Sequence, residues 1–214
     1  MPLLREEMKQ RDLNNDGELS DREIKWIKTL QLRAEKSGKY WKLNLKGLSW
    51  LTSLEDLSVE ALVLENRAEL EQLKSLQKLY LYQYQDIGVF DLSRMENVTD
   101  FSLGSKSVQE VILRNNKKLK KLYFGFTSTQ NLKEVNLCEN PNLEEVELRV
   151  DSIEKIRTQG HGKLKKMEIN TDEQIMMKIE KIPKLSDLVL KYNPKLTKLW
   201  IQDCPSLETL WVES

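Results

Sequence analysis

Leu119-Lys-Lys-Leu122-Tyr-Phe124 and Leu143-Glu-Glu-Val146-Glu-Leu148 share the pattern apolar-x-x-apolar-x-apolar, and its recurrence decides the fold. The unit appears earlier as Leu76-Gln-Lys-Leu79-Tyr-Leu81 and Val98-Thr-Asp-Phe101-Ser-Leu103. It appears later as Leu164-Lys-Lys-Met167-Glu-Ile169, Leu185-Ser-Asp-Leu188-Val-Leu190 and Leu207-Glu-Thr-Leu210-Trp-Val212. The starts at 76, 98, 119, 143, 164, 185 and 207 are separated by 22, 21, 24, 21, 21 and 22 residues. A period of this size means one small unit per repeat that cannot bury its own apolar face, so successive units must stack. The alternation at the end of each unit marks a strand. Shorter, less regular coils at Leu43/Leu45 and Leu62/Leu64 bring the expected number to about nine.

A second apolar set lies half a period away, at Ile87, Val108, Leu132, Ile153 and Leu196, with Val111/Leu113, Val135/Leu137 and Leu199/Ile201 as strand pairs. Each coil is therefore expected to carry strands on both sides. Asn116, Asn140 and Asn193, with the Asn140-Pro141, Asn193-Pro194 and Cys204-Pro205 turns, mark the corners, where an asparagine can bond backbone groups left unpaired by the bend. Ile175-Met-Met-Lys-Ile179 lacks clean alternation and reads as a helical turn.

If the strands stack in parallel about 4.8 Å apart, residues one period apart become neighbours. The residue before each central apolar position is then Lys78, Asp100, Lys121, Glu145, Lys166, Asp187 and Thr209, a column of alternating charge that neutralises the face. The lysine runs at Lys117–Lys121 and Lys163–Lys166 are broken by acidic neighbours, so they form no continuous phosphate track and no nucleic-acid partner is expected.

These units resemble internalin-like bacterial leucine-rich repeats over residues 40–214. The resemblance implies a leucine-rich-repeat solenoid, a right-handed β/α or β-rich horseshoe of about 21–22 residues per coil. It also implies adhesion or binding of a host protein.

Residues 12–23 read Asp-Leu-Asn-Asn-Asp-Gly-Glu-Leu-Ser-Asp-Arg-Glu. On a twelve-position calcium loop Asp12, Asn14 and Asp16 converge from alternate positions, Gly17 permits the tight turn, Glu18 lends a carbonyl and Glu23 closes the shell. Ser20 stands at position 9. Leu4 and Met8 before the loop, and Ile24, Ile27 and Leu30 after it, have the spacing of apolar stripes on flanking helices. The segment resembles a single EF-hand, which implies Ca2+ as the bound ion and a helix-loop-helix cap over residues 1–39. Its second helix is expected to run from Glu23 toward Lys36 and to stop at Ser37-Gly38. Leu19, the position through which such hands pair, finds no second loop in the chain. A lone hand with three acidic ligands is expected to bind in the 10⁻⁴ to 10⁻³ M range, roughly that of extracellular modules.

The chain has 214 residues, and 34 Lys and Arg balance 34 Asp and Glu, so the net charge is zero. At 39% hydrophobic and 32% charged residues, a thin core under a heavily charged surface suits an elongated shape. No run reaches the roughly 18 apolar residues of a membrane span. Met1-Pro2-Leu3-Leu4-Arg5-Glu6-Glu7 lacks the zones of a signal peptide. The expected location is secreted or cell-surface if a leader was removed, and cytoplasmic otherwise. One histidine, His161, in a Gly-flanked corner, and two cysteines exclude most imidazole-based catalysis, disulfide frameworks and four-ligand zinc sites. His161 is expected at the surface. Cys138 and Cys204 are expected to be three coils apart and reduced. No enzymatic activity is expected.

The next outward columns are expected to read Asn44, Val63, Tyr80, Ser102, Tyr123, Glu147, Glu168, Val189, Trp211, and Lys46, Glu65, Tyr82, Gly104, Gly125, Arg149, Asn170, Lys191, Glu213. Tyr80, Tyr82, Tyr84 and Tyr123 would wall a shallow hollow floored by Ser102 and the glycines, continued by Glu147, Arg149 and Glu168. Tyrosines supply contact area at small entropic cost, which suits protein hot spots and also sugar stacking. The expected function is protein recognition on this strand face beside a calcium-stabilised cap. A glycan-binding or cell-envelope structural or adhesion role is the alternative. No cap follows Trp211-Val212-Glu213-Ser214 over the last coil, so the expectation is either that the chain is clipped there or that two copies pair end to end.

Overall fold

A computed structural model describes residues 8–33, 42–83, 85–128, 134–151, 153, 155–158 and 161–213. Parallel strands stack into a solenoid, as the period predicts. Nine of them form one sheet: β1 (Thr29–Arg33), β3 (Asp56–Ala61), β5 (Lys78–Gln83), β7 (Asp100–Ser107), β9 (Lys121–Ser128), β11 (Glu145–Val150), β13 (Lys166–Thr171), β15 (Asp187–Leu190) and β17 (Thr209–Val212), hydrogen-bonded in that order. On the other side of the coils, β2 (Lys42–Asn44), β4 (Val63–Glu65), β6 (Val89–Asp91), β8 (Glu110–Ile112), β10 (Glu134–Asn136), β12 (Lys155–Arg157), β14 (Met176–Glu180) and β16 (Lys198–Gln202) form four two-stranded sheets. Between successive repeat strands the described residues hold no α-helix, only the 3-10 segments Leu48–Trp50 and Arg67–Gln72, so the solenoid is β-rich.

Two inward columns build the core. One runs Leu30, Leu57, Leu79, Phe101, Leu122, Val146, Met167 and Leu188, and the other Leu32, Val59, Leu81, Leu103, Phe124, Leu148, Ile169 and Leu190, all buried. Each fully buried Leu or Phe contributes about 1.5–3 kcal/mol relative to exposure. Phe90 stacks on Phe101 at 5.3 Å, and Phe124 meets Phe101 edge-on at 6.2 Å, so the two sides of the coil interlock through aromatic rings. The columns open at the last coil, where Leu210 and Val212 are about half exposed.

The corner asparagines act as expected. Asn116 Nδ2 donates to the Leu92 and Met95 carbonyls, Asn140 Nδ2 to Leu137, and Asn193 Nδ2 to Ile169 and Lys191, all from buried positions. Cys138 and Cys204 are free thiols. Leu132 of the second apolar set lies outside the described residues, and Ile87, Val108 and Ile153 are buried.

Four expectations are corrected. The helix after the loop, α1 (Asp21–Trp26), stops at Trp26, and Thr29–Arg33 is a strand paired with β3. Ile27-Lys-Thr-Leu30-Gln-Leu32 is itself a repeat unit, and the pairing that buries Leu30 and Leu32 outweighs continuation of the helix. Leu54-Glu-Asp-Leu57-Ser-Val59 is another such unit. It places Ser58 and Glu60 beside Tyr80 and Tyr82, whereas Asn44 and Val63 belong to β2 and β4 on the other side. Met176–Glu180 is a strand, not a helical turn, because pairing with β16 buries Met177 and Ile179. His161 is buried, with 1% of its surface exposed, since it takes the corner position that Asn140 and Asn116 hold in preceding coils. The expected boundary at 39/40 and the Leu4 end of the first helix lie outside the described residues.

Candidate functional site

The charge column is realised strand by strand. Asp56, Lys78, Asp100, Lys121, Glu145, Lys166, Asp187 and Thr209 are successive register partners. Lys121 Nζ lies 3.2 Å from Glu145, and this bond holds the ammonium more firmly protonated than an ordinary lysine.

One residue along each strand, the outward column reads Gln31, Ser58, Tyr80, Ser102, Tyr123, Glu147, Glu168, Val189 and Trp211. Tyr80 and Tyr123 each stand one strand from Ser102, which is buried and forms the floor between them. Tyr82 leans across the ladder: its ring covers Gly104, and its hydroxyl lies 3.2 Å from Ser102 Oγ. Tyr123 lies along its own strand over Gly125. The glycines are therefore seats for the rings, not open floor. What remains open is a hollow of about 300 Å³ lined by the three tyrosines, Ser102, Glu147 and Glu168, with Asp100, Lys121, Glu145 and Lys166 on its rim.

Burial raises the Tyr80 hydroxyl above its usual pKa, with Asp100 and Asp56 acting in the same direction. Burial also raises Tyr123; Arg149 opposes the shift and Glu147 adds to it. The Arg149 guanidinium sits 5.7 Å from the centre of the Tyr123 ring and bonds Glu147 at 2.8 Å. Glu168 reaches Lys191 at 3.9 Å.

Of the eight residues expected to bind a partner, the structure brings together Tyr80, Tyr82, Ser102, Tyr123, Glu147 and Arg149. Trp211, on β17, is four strands from Tyr123, about 19 Å at ordinary spacing, and does not join the hollow. Tyr84 lies outside the described residues. Asp100, Lys121, Glu145 and Lys166 were not expected as lining, although the register of the charge column already places them beside it.

In the loop, Asp12 Oδ2 accepts the Gly17 N–H at 2.8 Å, while the Asp12 Oδ1 atom is buried with no partner among the described residues. Asn14 Nδ2 donates to Asp16 Oδ2, and Asp16 Oδ1 accepts the Glu18 N–H. Gly17 has φ +88°, the left-handed turn its position requires. Glu23 Oε1 accepts from Leu13 N at 2.8 Å, and Oε2 from Ser20 N and Ser20 Oγ at 2.8 and 2.6 Å. Ser20 and Glu23 thus form a capping box, and these bonds, from Ser20 first and Leu13 next, lower the Glu23 pKa to about 2. Among the described residues no group of three His, Cys, Asp or Glu side chains is arranged to hold a metal, and none forms a helix long and apolar enough to cross a membrane.

The chain is similar to the crystal structure of an internalin from Listeria monocytogenes str. 4b F2365, at a TM-score of 0.54 and 17% identity, over 99% of this chain and 75% of that one. This is an internalin-type leucine-rich-repeat fold. At that identity the likeness establishes the fold alone. No protein-family model and no curated protein matches the sequence.

Proposed function

We propose that this chain is a non-enzymatic recognition module that binds a protein partner on the outward face of its nine-stranded sheet. The observation that carries the reading is the hollow. Beside a column of alternating charge, three tyrosines converge on one small buried residue, Ser102. Tyr82 and Tyr123 lie over Gly104 and Gly125, and tyrosines present area and hydroxyls at small cost in rotamer entropy, the property that makes the residue an interface anchor. The test pairs Tyr80→Ala/Tyr123→Ala with the parent in protein capture and on a glycan array. Loss of a captured protein supports the reading; loss of glycan signal alone transfers the hollow to carbohydrate binding.

The same proposal assigns Ca2+ to the loop at residues 12–23, held by Asp12, Asn14, Asp16, the Glu18 carbonyl and Glu23. What supports it is the Asp12 Oδ1 atom, buried and without a partner among the described residues, and the donor set of hard oxygens. Glu23 already accepts three hydrogen bonds, so coordination and helix capping draw on the same two oxygens and the affinity is low. The ion's role is to order the front of the solenoid. Calcium is expected to raise Tm over a chelator-treated sample in the parent and not in Glu23→Gln; equal Tm with calcium and chelator in the parent refutes the assignment.

A further inference from the structure

We infer that the tyrosine hollow receives an arginine side chain of the partner, so that the segment it recognises is basic. This rests on the recognition reading above and names the chemistry of its occupant. The chain as a whole is neutral, but the hollow is not: Asp100, Glu145, Glu147 and Glu168 line it against only Lys121 and Lys166, a net charge of −2. Lys121 is committed to Glu145 at 3.2 Å.

The excess negative charge is concentrated at one place. Glu147 and Glu168 are direct register partners on β11 and β13, so two carboxylates stand side by side in the column where the rest of the face avoids like neighbours. Such a pair opposes folding unless cations attend it. Their own cations, Arg149 and Lys191, both come from the next column along the strands. On the side that faces the tyrosines, Arg149 reaches over Tyr123 from that next column, and the only cations lining the hollow among the described residues are the two rim lysines.

The rings complete the selection. Tyr80 and Tyr123 flank Ser102 at two strand spacings, about 9.6 Å, a gap that admits one flat group between or across them. The molecule already sets a guanidinium, that of Arg149, over Tyr123. Neither the Tyr80 nor the Tyr123 hydroxyl makes a hydrogen bond among the described residues, leaving both as acceptors for N–H groups. A guanidinium stacks on phenol rings and forks to carboxylates, whereas an ammonium is a more strongly hydrated point charge.

The experiment uses the full chain, ¹⁵N-labelled, titrated with Ac-Gly-Arg-Gly-NH2 and, separately, with Ac-Gly-Gln-Gly-NH2. The arginine peptide is expected to shift the Ser102, Gly104 and Gly125 amides saturably, and Glu147→Gln/Glu168→Gln to weaken it by about tenfold or more, the loss expected for charge-assisted hydrogen bonds. Gln is nearly isosteric with Glu, and an unchanged amide spectrum elsewhere confirms the fold. Equal shifts with the glutamine peptide, or equal arginine affinity in the charge variant, overturn the inference. If a captured protein depends on Tyr80 and Tyr123 but not on Glu147 and Glu168, the arginine assignment falls and the recognition reading stands. If capture survives Tyr80→Ala/Tyr123→Ala, both fall.

Discussion

The ring of Tyr82 occupies the space above Gly104 on the neighbouring strand: a Cβ on Gly104 would lie 2.6 Å from Tyr82 Cδ1. The obstructing atom belongs to a ring that is 40% exposed, so it can swing outward while the backbone stays in place. Gly104→Ala is therefore expected to lower stability by no more than about 1 kcal/mol, in line with substitutions outside the core, while displacing Tyr82 from Ser102 and weakening partner binding. Denaturant unfolding and partner binding measured on the same samples check this. A large stability loss would show that the ring is fixed by more than its glycine seat.

Lys121 has an acid on each side, Asp100 on β7 and Glu145 on β11. Lys121→Glu places three acids in succession and is expected to lower Tm, more at low salt than at high salt, because the pairs are exposed and screened. Combining it with Glu145→Lys restores one opposite pair but leaves an acid beside Asp100 and a lysine beside Lys166, so recovery is expected to be partial. Full recovery would mean that only the pair matters and not the column.

How far this is legible in sequence depends on which competing pattern a segment also satisfies. The units from Leu76 onward repeat at 21–24 residues and admit one reading. The unit at Ile27 is followed by the next only at Leu54, a step of 27, and Ile24, Ile27 and Leu30 fit a helix equally well. Periodicity over so few residues cannot separate a short helix running into a strand from one longer helix, and burial of Leu30 and Leu32 against β3 decides. Missing the Leu54 unit shifted the first members of each outward column to the wrong side. The hollow itself was legible, because a known period turns a linear sequence into columns. The direction of each ring was not: Tyr82 crosses to the next strand and Tyr123 follows its own, a choice set by which neighbour lacks a side chain.

The core columns predict a gradient for a single kind of substitution. Leu79 and Leu30 are fully buried, and truncation to Ala at either is expected to cost about 2–5 kcal/mol. Leu210 holds the equivalent position on β17 but is 49% exposed, so Leu210→Ala is expected to cost less than about 1.5 kcal/mol. Chemical denaturation of the three variants checks this. The Leu30 value also tests whether Thr29–Arg33 belongs to the solenoid, since a peripheral cap would tolerate its loss.

His161 provides the pH dependence of the corners. Its ring is buried, neither nitrogen has a hydrogen-bond partner among the described residues, and burial holds its pKa below the ordinary 6.5, although the nearby Leu137 and Asn140 carbonyls pull the other way. The unfolded chain therefore takes up this proton at a higher pH than the folded one. Stability from the neutral ring is complete above pH 6.5 and falls as pH drops below it. Asn140, one coil earlier at the same corner position, donates to the Leu137 carbonyl, so an asparagine suits the corner and does not titrate. His161→Asn is expected to fold and to lose less stability than the parent on acidification from about pH 7.5 to 5.5, measured by denaturant midpoint, because the carboxylates common to both proteins cancel in the comparison. Parallel pH profiles for the two proteins would place the imidazole in contact with water and remove the burial argument.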